Sequence, residues 1–318
     1  MPQATTQPAE QLGAGRKKKK RDYNAISPFW NAVFNVLIGL FTFSCVFPFI
    51  FVIIISLTDE QTLALNGFSM FPSKISTQAY EYIFKSGGEL LSSFGVTLLV
   101  TVLGTVLSLT LVTTYAYALS RRSFEFRGFF SFLAFFTMLF SGGMVPGYIV
   151  MTQFLHLQNT IWSLIFPLSM NAFFIIVMRT FFQTTIPEEI IESAKIDGAG
   201  EFLTFARIVL PVSLPGIATI GLFSSLGYWN DWFNALLYYN SPKVTPPMQF
   251  LLMKIEKNMD FLIQNAQNIG SAVDFAATIP QETVRMAMVV LATTPIVLAY
   301  PFFQRYFVQG LTVGSVKG

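Results

Sequence analysis

The chain has 318 residues, of which 53% are hydrophobic and only 12% are charged. A soluble domain carries about a quarter charged residues, so this composition excludes an ordinary soluble protein and indicates an integral membrane protein. The formal net charge is +3, and several of the basic residues occur in one short run near the N-terminus.

The N-terminal 27 residues are polar and end in a basic run over residues 16–21. We predict a disordered, basic cytoplasmic tail whose positive charges keep this end of the chain inside. Binding of nucleic acid or anionic lipid by the run is an alternative. The apolar stretch that follows is too long for a signal peptide and lacks a small-x-small cleavage site, so we expect it to be retained.

Long apolar segments predict an all-α membrane protein with six transmembrane helices. No charged residue occurs from Tyr23 through Thr58, or from Gly128 through Met178. The second stretch is too long for one span, and it is broken at residues 141–143 and at residues 156–159. The predicted spans lie near residues 31–57, 91–119, 126–146, 160–182, 211–239 and 286–304.

Basic residues predict the orientation, because cytoplasmic segments carry an excess of lysine and arginine. With the N-terminus inside, 14 of the 20 basic residues fall in inside segments, although the outside segments are longer. Both termini and the polar segment 183–210 are therefore predicted to be cytoplasmic. In the longer outside segment, a helical pattern near residues 248–267 has one apolar face that contains Met248, Leu251, Leu252 and Ile255.

Residues that could support catalysis are few. The chain has one cysteine, Cys45, and one histidine, His156, so neither a disulfide within the chain nor a clustered His/Cys metal site can be built. It also lacks the Gly-x-x-x-x-Gly-Lys-Ser/Thr loop, so it cannot hold ATP by that means. We expect no catalytic residue and no cofactor in this chain.

The polar segment at residues 187–211 has the pattern of two helices joined by a sharp turn. Pro187 suits a first helical position, and the two glutamates after it favour the positive end of the helix dipole. Gly198 and Gly200 can take the positive φ angles of a tight reversal. The apolar face expected for the first helix consists of Ile190, Ile191 and Ala194. Such a charged hairpin at a membrane surface suits docking against a soluble partner.

The same segment resembles the coupling-loop signature of ABC importer inner-membrane subunits. Glu192-Ser193-Ala194 stands in place of the usual Glu-Ala-Ala, Gly198 follows after three residues, and Ile-Val-Leu-Pro ends the segment at residues 208–211. The resemblance implies that this loop couples the chain to a separate ATPase. The coupling residues it implies are Glu192, Ser193, Ala194, Asp197, Gly198, Ile208, Leu210 and Pro211.

Two further segments carry the resemblance. Residues 228–233, Tyr-Trp-Asn-Asp-Trp-Phe, are similar to a stretch of carbohydrate-uptake permeases, and residues 303–318 are similar to the C-terminus of the six-span, maltose-type subunit. The resemblance covers roughly residues 28–318 and implies the type I ABC importer permease fold in a bacterial plasma membrane. Residues 140–146, Phe-Ser-Gly-Gly-Met-Val-Pro, look more like the branch that carries polysaccharide fragments such as alginate or pectin.

Asp231 is the one ionisable residue well inside a long apolar segment, and such residues are usually functional because burying a charge is costly. Gly227, Asp231 and Asn234 recur at helical spacing, so we expect one face that offers hydrogen bonds to sugar hydroxyls. The alternative is that Asp231 reaches water at the outer end of the span. The predicted substrate-pathway residues are Tyr228, Trp229, Asn230, Asp231 and Asn234. In the same span, close packing and a bend are expected from Pro211, Pro215, Gly216, Gly221 and Gly227.

Three classes of function remain open: an ABC permease subunit, a self-contained secondary transporter, and a membrane-embedded glycosyltransferase. Secondary transporters often show repeats and several intramembrane charges, and neither is evident here. A transferase needs an acidic cluster, whereas the acidic residues of this chain are scattered. We therefore favour the permease of an oligosaccharide importer.

The resemblance also implies partners and a mechanism. It implies a second, similar permease subunit that pairs with this one as a heterodimer, two ATPase subunits that bind ATP and Mg²⁺, and an extracytoplasmic solute-binding protein, with lipid around the spans and no nucleic acid. Transport is then by alternating access, driven by closure of the ATPase dimer. The tail residues Gly310, Gly314 and Lys317 are implied to sense that closure, and the outside loop 240–284 to contact the binding protein. The predicted organisation is a tail at 1–27, the first span with its external loop at 28–90, a permease core at 91–310, and a second tail at 311–318.

Overall fold

The computed structural model describes residues 27–85, 87–265 and 281–315. Across these residues the fold is helical, and β structure is limited to one isolated antiparallel bridge between Thr58 and Ile75. The all-α prediction is therefore confirmed for the described part of the chain. The chain divides into two compact units, residues 1–50 and residues 51–318.

The helices follow one another closely, and two of them continue into a π-helical turn. Helix α6 leads into the π-helix Val150–Phe154, and α10 leads into the π-helix Phe205–Val209. In chain order, the helices of the described residues are α1 Pro28–Ser56, α2 Glu60–Asn66, α3 Gln78–Lys85, α4 Gly87–Ser120, α5 Arg127–Leu139, α6 Met144–Ile149, α7 Trp162–Ser169, α8 Ala172–Thr185, α9 Glu188–Ile196, α10 Glu201–Thr204, α11 Leu210–Val212, α12 Leu214–Trp229, α13 Phe233–Tyr238, α14 Met248–Asn265 and α15 Gln281–Ser315.

Three single helices of the described residues are long and apolar enough to cross a membrane: Pro28–Ser56, Gly88–Ser120 and Gln281–Pro301. Three more candidates are pairs of shorter helices with a bend between them, which gives up to six spans in all. The bends are 111° between α5 and the α6 segment, 51° between α7 and α8, and 81° between the α10–α11 segment and α12.

Two predicted breaks in the uncharged stretch 128–178 are confirmed. Helix α5 ends at Leu139, and Gly143 then takes a φ of +89° immediately before α6. The second break follows Phe154, and there His156 and Asn159 both have positive φ angles. These residues interrupt the apolar run where the sequence has its few polar and glycine positions.

The fourth and fifth predicted spans are also broken. The sequence indicated a continuous helix for the fourth, whereas the bend expected near Pro211 and Pro215 in the fifth is confirmed. In the fourth span, α7 ends at Ser169 and α8 begins at Ala172. Asn171 caps α8, because its side-chain oxygen accepts hydrogen bonds from the backbone N–H groups of Phe173 and Phe174. The fifth bends at Ser213, and its helix α12 ends at Trp229. A polar residue that caps a helix can therefore interrupt a span whose hydropathy alone predicts one continuous helix.

Helix α4 is the centre of the second unit and packs against α12, α8, α7 and α5. Its closest approach is at Gly104, where an added Cβ would lie 2.5 Å from the ring of Tyr228 on α12. The close packing expected at Gly216 and Gly221 is confirmed, because an added Cβ would meet Phe181 at 3.0 Å and Leu109 at 3.3 Å. At Gly227 no atom lies within 4 Å of the added Cβ, so that position is open.

Helices α14 and α15 contribute to a buried apolar cluster together with α3, which lies in a segment predicted to be outside. The apolar face expected for α14 is confirmed, since Met248, Leu251 and Leu252 are buried. The carboxylate of Glu60 accepts hydrogen bonds from the backbone N–H of Thr283, at 3.0 Å, and from its hydroxyl, at 2.7 Å, and thereby caps the start of α15.

A second acidic residue caps α2. The carboxylate of Asp59 accepts a hydrogen bond from the backbone N–H of Thr62. The ammonium group of Lys74, at 3.1 Å, lowers the pKa of the Asp59 carboxyl below its usual value. The two acidic residues therefore cap one short outside helix, α2, and the start of the long helix α15.

Candidate functional site

The polar segment 187–211 folds as the predicted pair of helices with a sharp turn. Pro187 lies one residue before α9, with φ −58° and ψ 141°, and the first turn of α9 contains Glu188 and Glu189. Negative side chains at this end are favourable because the first backbone N–H groups of a helix carry partial positive charge. The loop between α9 and α10 is therefore built as the sequence pattern indicates.

Gly198 makes the turn at the end of α9. It has φ +83°, its N–H donates to the carbonyl of Lys195 at 3.0 Å, and the N–H of Ala199 donates to the carbonyl of Ala194 at 2.9 Å. This pair of bonds is the Schellman motif, which requires a left-handed residue and so favours glycine. Gly200 has φ −72° instead and precedes α10 in an extended conformation, so the positive φ expected there is wrong.

One face of α9 is held in the core beneath it. Ile191 is buried in a cluster that also contains Val112, Phe182 and Val209, and Ala194 is buried too. Ile190 is exposed, contrary to the prediction that it shares this face. Successive helical residues lie about 100° apart, so the buried stripe through 191 and 194 leaves residue 190 at its edge.

Tyr117 connects the second half of the loop to α4. Its hydroxyl donates a 2.7 Å hydrogen bond to Oε2 of Glu201, and Oε1 of the same carboxylate accepts from Lys195 Nζ at 2.6 Å. The Tyr117 ring lies 4.9 Å from that of Phe205. The sequence pattern alone does not predict the contact among these three polar residues. The opposite charges on either side of Gly198 were a detectable signal, whereas the partner on α4 was not.

The outer face of the loop is exposed and has both acidic and apolar character. Glu192 is exposed and makes no ion pair with any residue that the structure describes. Beside it along the chain, the side chains of Ile196 and Phe202 are 87% and 82% exposed. Large apolar side chains presented together with a free acid are typical of a surface that a partner covers.

The remaining residues of the coupling signature are distributed along the hairpin and the two short helical segments that follow it. The hydroxyl of Ser193 donates to the carbonyl of Ile190 at 3.0 Å, so serine is accommodated where alanine is usual. Asp197 is exposed at the end of α9. Ile208 belongs to the π-helical turn, Leu210 packs against the buried cluster, and Pro211 lies in α11. The eight residues therefore lie on one continuous stretch of chain from α9 to α11.

The predicted pathway residues lie at the other end of α12. Because α12 ends at Trp229 and α13 begins at Phe233, Asn230 and Asp231 are in the break, and the continuous helical face expected through residues 227, 231 and 234 is not formed. The carboxylate of Asp231 instead accepts from the backbone N–H of Asn234 at 3.1 Å and from its amide at 2.8 Å. Asp231 thus lies before α13 and binds its first turn.

Two of the pathway residues are packed inside the chain. Tyr228 is buried and its hydroxyl donates to the carbonyl of Ile165 at 2.9 Å, while the buried Trp229 donates from Nε1 to the carbonyl of Ala292 at 3.0 Å. In this conformation both side chains hold α12 to its neighbours and are closed to a ligand. Asn230 is exposed, and its Oδ1 accepts from Gln249.

The C-terminal residues are described only in part. Helix α15 continues to Ser315, beyond residue 304 where the hydropathy ended the sixth span, and its backbone includes Gly310 and Gly314. Lys317 lies outside the described residues, as do residues 1–26 of the predicted N-terminal tail and residues 266–280 of the outside loop.

Comparison with known proteins places the chain in a family. The family model described as the inner membrane component of a binding-protein-dependent transport system matches residues 24–313. Two proteins of Bacillus subtilis (strain 168) are each 41% identical to this chain. Protein LplC is aligned over 86% of this chain and 90% of its own length. The polygalacturonan/rhamnogalacturonan transport system permease protein YtcP is aligned over 91% and 99%.

More distant relatives are also transport proteins. The arabinooligosaccharides transport system permease protein AraQ of Halalkalibacterium halodurans is 28% identical over 92% of this chain and 98% of its own length. A crystal structure of a bacterial ABC transporter involved in the import of the acidic polysaccharide alginate contains a chain that is 28% identical and superposes with a TM-score of 0.73, covering 88% of this chain and 96% of that one. The chain therefore belongs to the family of inner membrane components of binding-protein-dependent transport systems.

Proposed function

We propose that this chain is a permease subunit of an ATP-driven importer, which moves oligosaccharides across the membrane by alternating access. The observation that carries the proposal is the hairpin α9–α10. Its inner face is fixed by the buried Ile191 and by the Tyr117–Glu201 hydrogen bond, while Glu192, Ile196 and Phe202 stay exposed. A rigid support beneath an uncovered apolar and acidic surface suits a docked soluble subunit, and we assign that role to an ATPase.

In the proposed topology the chain has six spans with both termini in the cytoplasm. The distribution of basic residues supports this orientation, and the three bent helix pairs supply the spans beyond the three long helices. The hairpin is then cytoplasmic, on the side where ATP is available. The ATP and Mg²⁺ are held by the partner ATPase subunits, because the chain has no phosphate-binding loop of the Gly-x-x-x-x-Gly-Lys-Ser/Thr type.

The complex contains, in this proposal, a second permease subunit, two ATPase subunits and an extracytoplasmic solute-binding protein. The family description, which specifies binding-protein-dependent transport, supports the last of these. We assign contact with the binding protein to the outside loop 240–284, and contact with the ATPase dimer to the C-terminal residues Gly310, Gly314 and Lys317.

The relatives support an oligosaccharide substrate, and they favour one with acidic sugars. The names of a 41% identical relative and of the superposed crystal structure specify polygalacturonan/rhamnogalacturonan and alginate, whereas the 28% identical AraQ is named for arabinooligosaccharides. We place the pathway contacts at Asn230, Asp231 and Asn234. Asn234 donates hydrogen bonds to both oxygens of the Asp231 carboxylate, which fix its position but leave its negative charge in place.

The mechanism follows from the connections of the hairpin. Closure of the ATPase dimer moves α9, and the Tyr117–Glu201 bond passes that movement to α4. The π-helical turn and α11 connect the same hairpin directly to α12, whose far end precedes Asn230. A helix of this length spans about 24 Å, so a tilt of α12 displaces the proposed pathway residues relative to the hairpin.

Co-purification of the ATPase tests this proposal. The assembled complex is purified through a tag on this chain, with Glu192→Ala, Ile196→Ala and the control Glu125→Ala, which changes an exposed acid outside the hairpin. We expect the first two variants to lose most of the ATPase and the control to retain it. Equal retention in all three variants would contradict the docking role of this surface.

A further inference from the structure

A cavity of about 590 Å³ lies between the end of α4, the start of α5 and the first turn of α9. Its lining combines apolar side chains, including Phe182 and Ile186, with three arginines and two glutamates. The ionised groups that face it therefore carry one positive charge in excess. It adjoins the hairpin and shares Tyr117 and Ile191 with the contacts assigned to transport above, whereas its arginines have no role among those contacts.

Arg121 is the unusual member of this lining. The residue is only 9% exposed, its buried Nε has no hydrogen-bond partner among the described residues, and it forms no ion pair there, although its charge interacts at longer range with the Glu201 carboxylate. Its guanidinium lies 6.0 Å from the centre of the Tyr117 ring, a distance at the limit of a cation–π contact. A buried charge without an acceptor is unfavourable, so this position calls for an anion in the cavity.

The other charged residues of the cavity do not compensate the charge of Arg121. Arg122 is already paired with Glu188 at 3.2 Å. Arg127 also lines the cavity, is exposed, and has no ion pair among the residues described. Glu189 opposes an anion, but the two unpaired arginines outnumber it. The amide of Gln183 at the cavity wall is a further hydrogen-bond donor.

We propose that this cavity binds the phosphate group of an anionic phospholipid. Arg121 directly follows the apolar span that ends at Ser120, and Arg127 is the first residue of α5, so both mark a boundary between apolar and polar chain. Guanidinium groups match phosphate oxygens in planar pairs, and basic pockets between membrane helices bind lipid head groups. The apolar part of the lining suits the glycerol and acyl portion of such a lipid.

The site has a consequence for the hairpin. Because Glu188 and Glu189 of α9 share the cavity with Arg121 and Arg127, a bound phosphate competes with these carboxylates for the arginines. Head-group occupancy therefore changes the electrostatic attraction that holds the first turn of α9 beside the end of α4. This inference does not depend on which sugar is transported.

The test is a lipid titration of the assembled, delipidated complex, followed by native mass spectrometry. The probe is short-chain phosphatidylglycerol, and the variants are Arg121→Gln, Arg127→Gln and the control Arg207→Gln, an exposed arginine that does not line the cavity. We expect roughly tenfold weaker binding in each of the first two variants, the size of one lost hydrogen bond to a charged group, and wild-type binding in the control. Because Arg127 is exposed, we expect Arg127→Gln to fold and assemble. Its lipid binding then decides the test if Arg121→Gln does not assemble.

A second arm separates a lipid from a free anion. Inorganic phosphate is titrated into the same proteins by calorimetry. If phosphatidylglycerol binds with the expected arginine dependence, the proposal is supported, whether or not inorganic phosphate competes. If only inorganic phosphate binds in that way, the lipid assignment is overturned. If all proteins bind phosphatidylglycerol equally, the cavity is not the site.

Discussion

The hydroxyl group of Tyr117 donates a 2.7 Å hydrogen bond to the carboxylate of Glu201, although the two residues are 84 positions apart in the sequence. Tyr117 is near the end of the long apolar helix α4, and Glu201 begins the second helix of the polar hairpin. Lys195, on the other side of the turn at Gly198, binds the same carboxylate. One glutamate therefore connects the two arms of the hairpin to the helix beneath them.

We expect Tyr117→Phe to weaken the coupling of ATP hydrolysis to uptake while the subunits remain assembled. The substitution keeps the ring contact with Phe205 and removes only the hydroxyl that binds Glu201. A hydrogen bond to a charged group contributes about 1.5–3 kcal/mol, so uptake per ATP hydrolysed should fall several-fold. The matched control is Tyr115→Phe, whose hydroxyl binds the carbonyl of Phe130 away from the hairpin.

Gly198→Val should disrupt the hairpin, because Gly198 has φ +83° and a left-handed conformation costs an L-residue about 1–2 kcal/mol. The protein should still insert in the membrane, but uptake should be lost and the ATPase should bind more weakly. Limited proteolysis of the hairpin measures the local effect. Gly200→Val is the control, since Gly200 is extended and has open space around it. Equal damage from both variants would remove the special role of the turn.

Gly104→Ala should destabilise the packing of α4 on α12. The new methyl group would lie 2.5 Å from the ring of Tyr228, and that ring is fixed by its bond to the carbonyl of Ile165. Overpacking of this kind costs typically about 1–3 kcal/mol. The thermal midpoint of the purified complex reports it, with Gly95→Ala on the same helix as a control that meets no atom within 4 Å. An unchanged midpoint for Gly104→Ala would show that the ring can move aside.

Asp231→Asn should alter uptake and leave the basal ATP hydrolysis of the assembled complex unchanged. The substitution keeps an oxygen that can cap α13 but removes the charge at the proposed pathway. If the substrate is acidic, uptake should increase or its apparent affinity should improve, because a negative charge is removed. A fall in both uptake and ATP hydrolysis would instead mean that Asp231 is a structural residue of the helix break.

The sequence was a good guide wherever a single residue type determines the backbone. Gly198 was identifiable as the turn because glycine tolerates a positive φ, and the breaks at residues 141–143 and 156–159 were visible as polar and glycine positions in an apolar run. The burial of Met248 and Leu251 followed from their helical spacing. These features depend on neighbours within a few residues.

Two kinds of feature were not predictable in the same way: helix ends inside apolar segments, and packing between distant parts of the chain. The cap formed by Asn171 and the break at residues 230–232 lie inside apolar segments whose hydropathy indicates continuous helices. The burial of Tyr228 results from the absence of a side chain at Gly104, which no local pattern reveals. Ile190 was assigned to the wrong face because two adjacent isoleucines cannot both lie at the centre of one buried stripe.

Reconstituted transport tests the central claim most directly. The complex is placed in proteoliposomes with ATP on the hairpin side, and the solute-binding protein with a labelled oligogalacturonate is added on the opposite side. We predict accumulation of the sugar that requires ATP and is abolished by Glu192→Ala, while Glu125→Ala behaves as wild type. Accumulation without ATP, or undiminished accumulation in Glu192→Ala, would contradict the account.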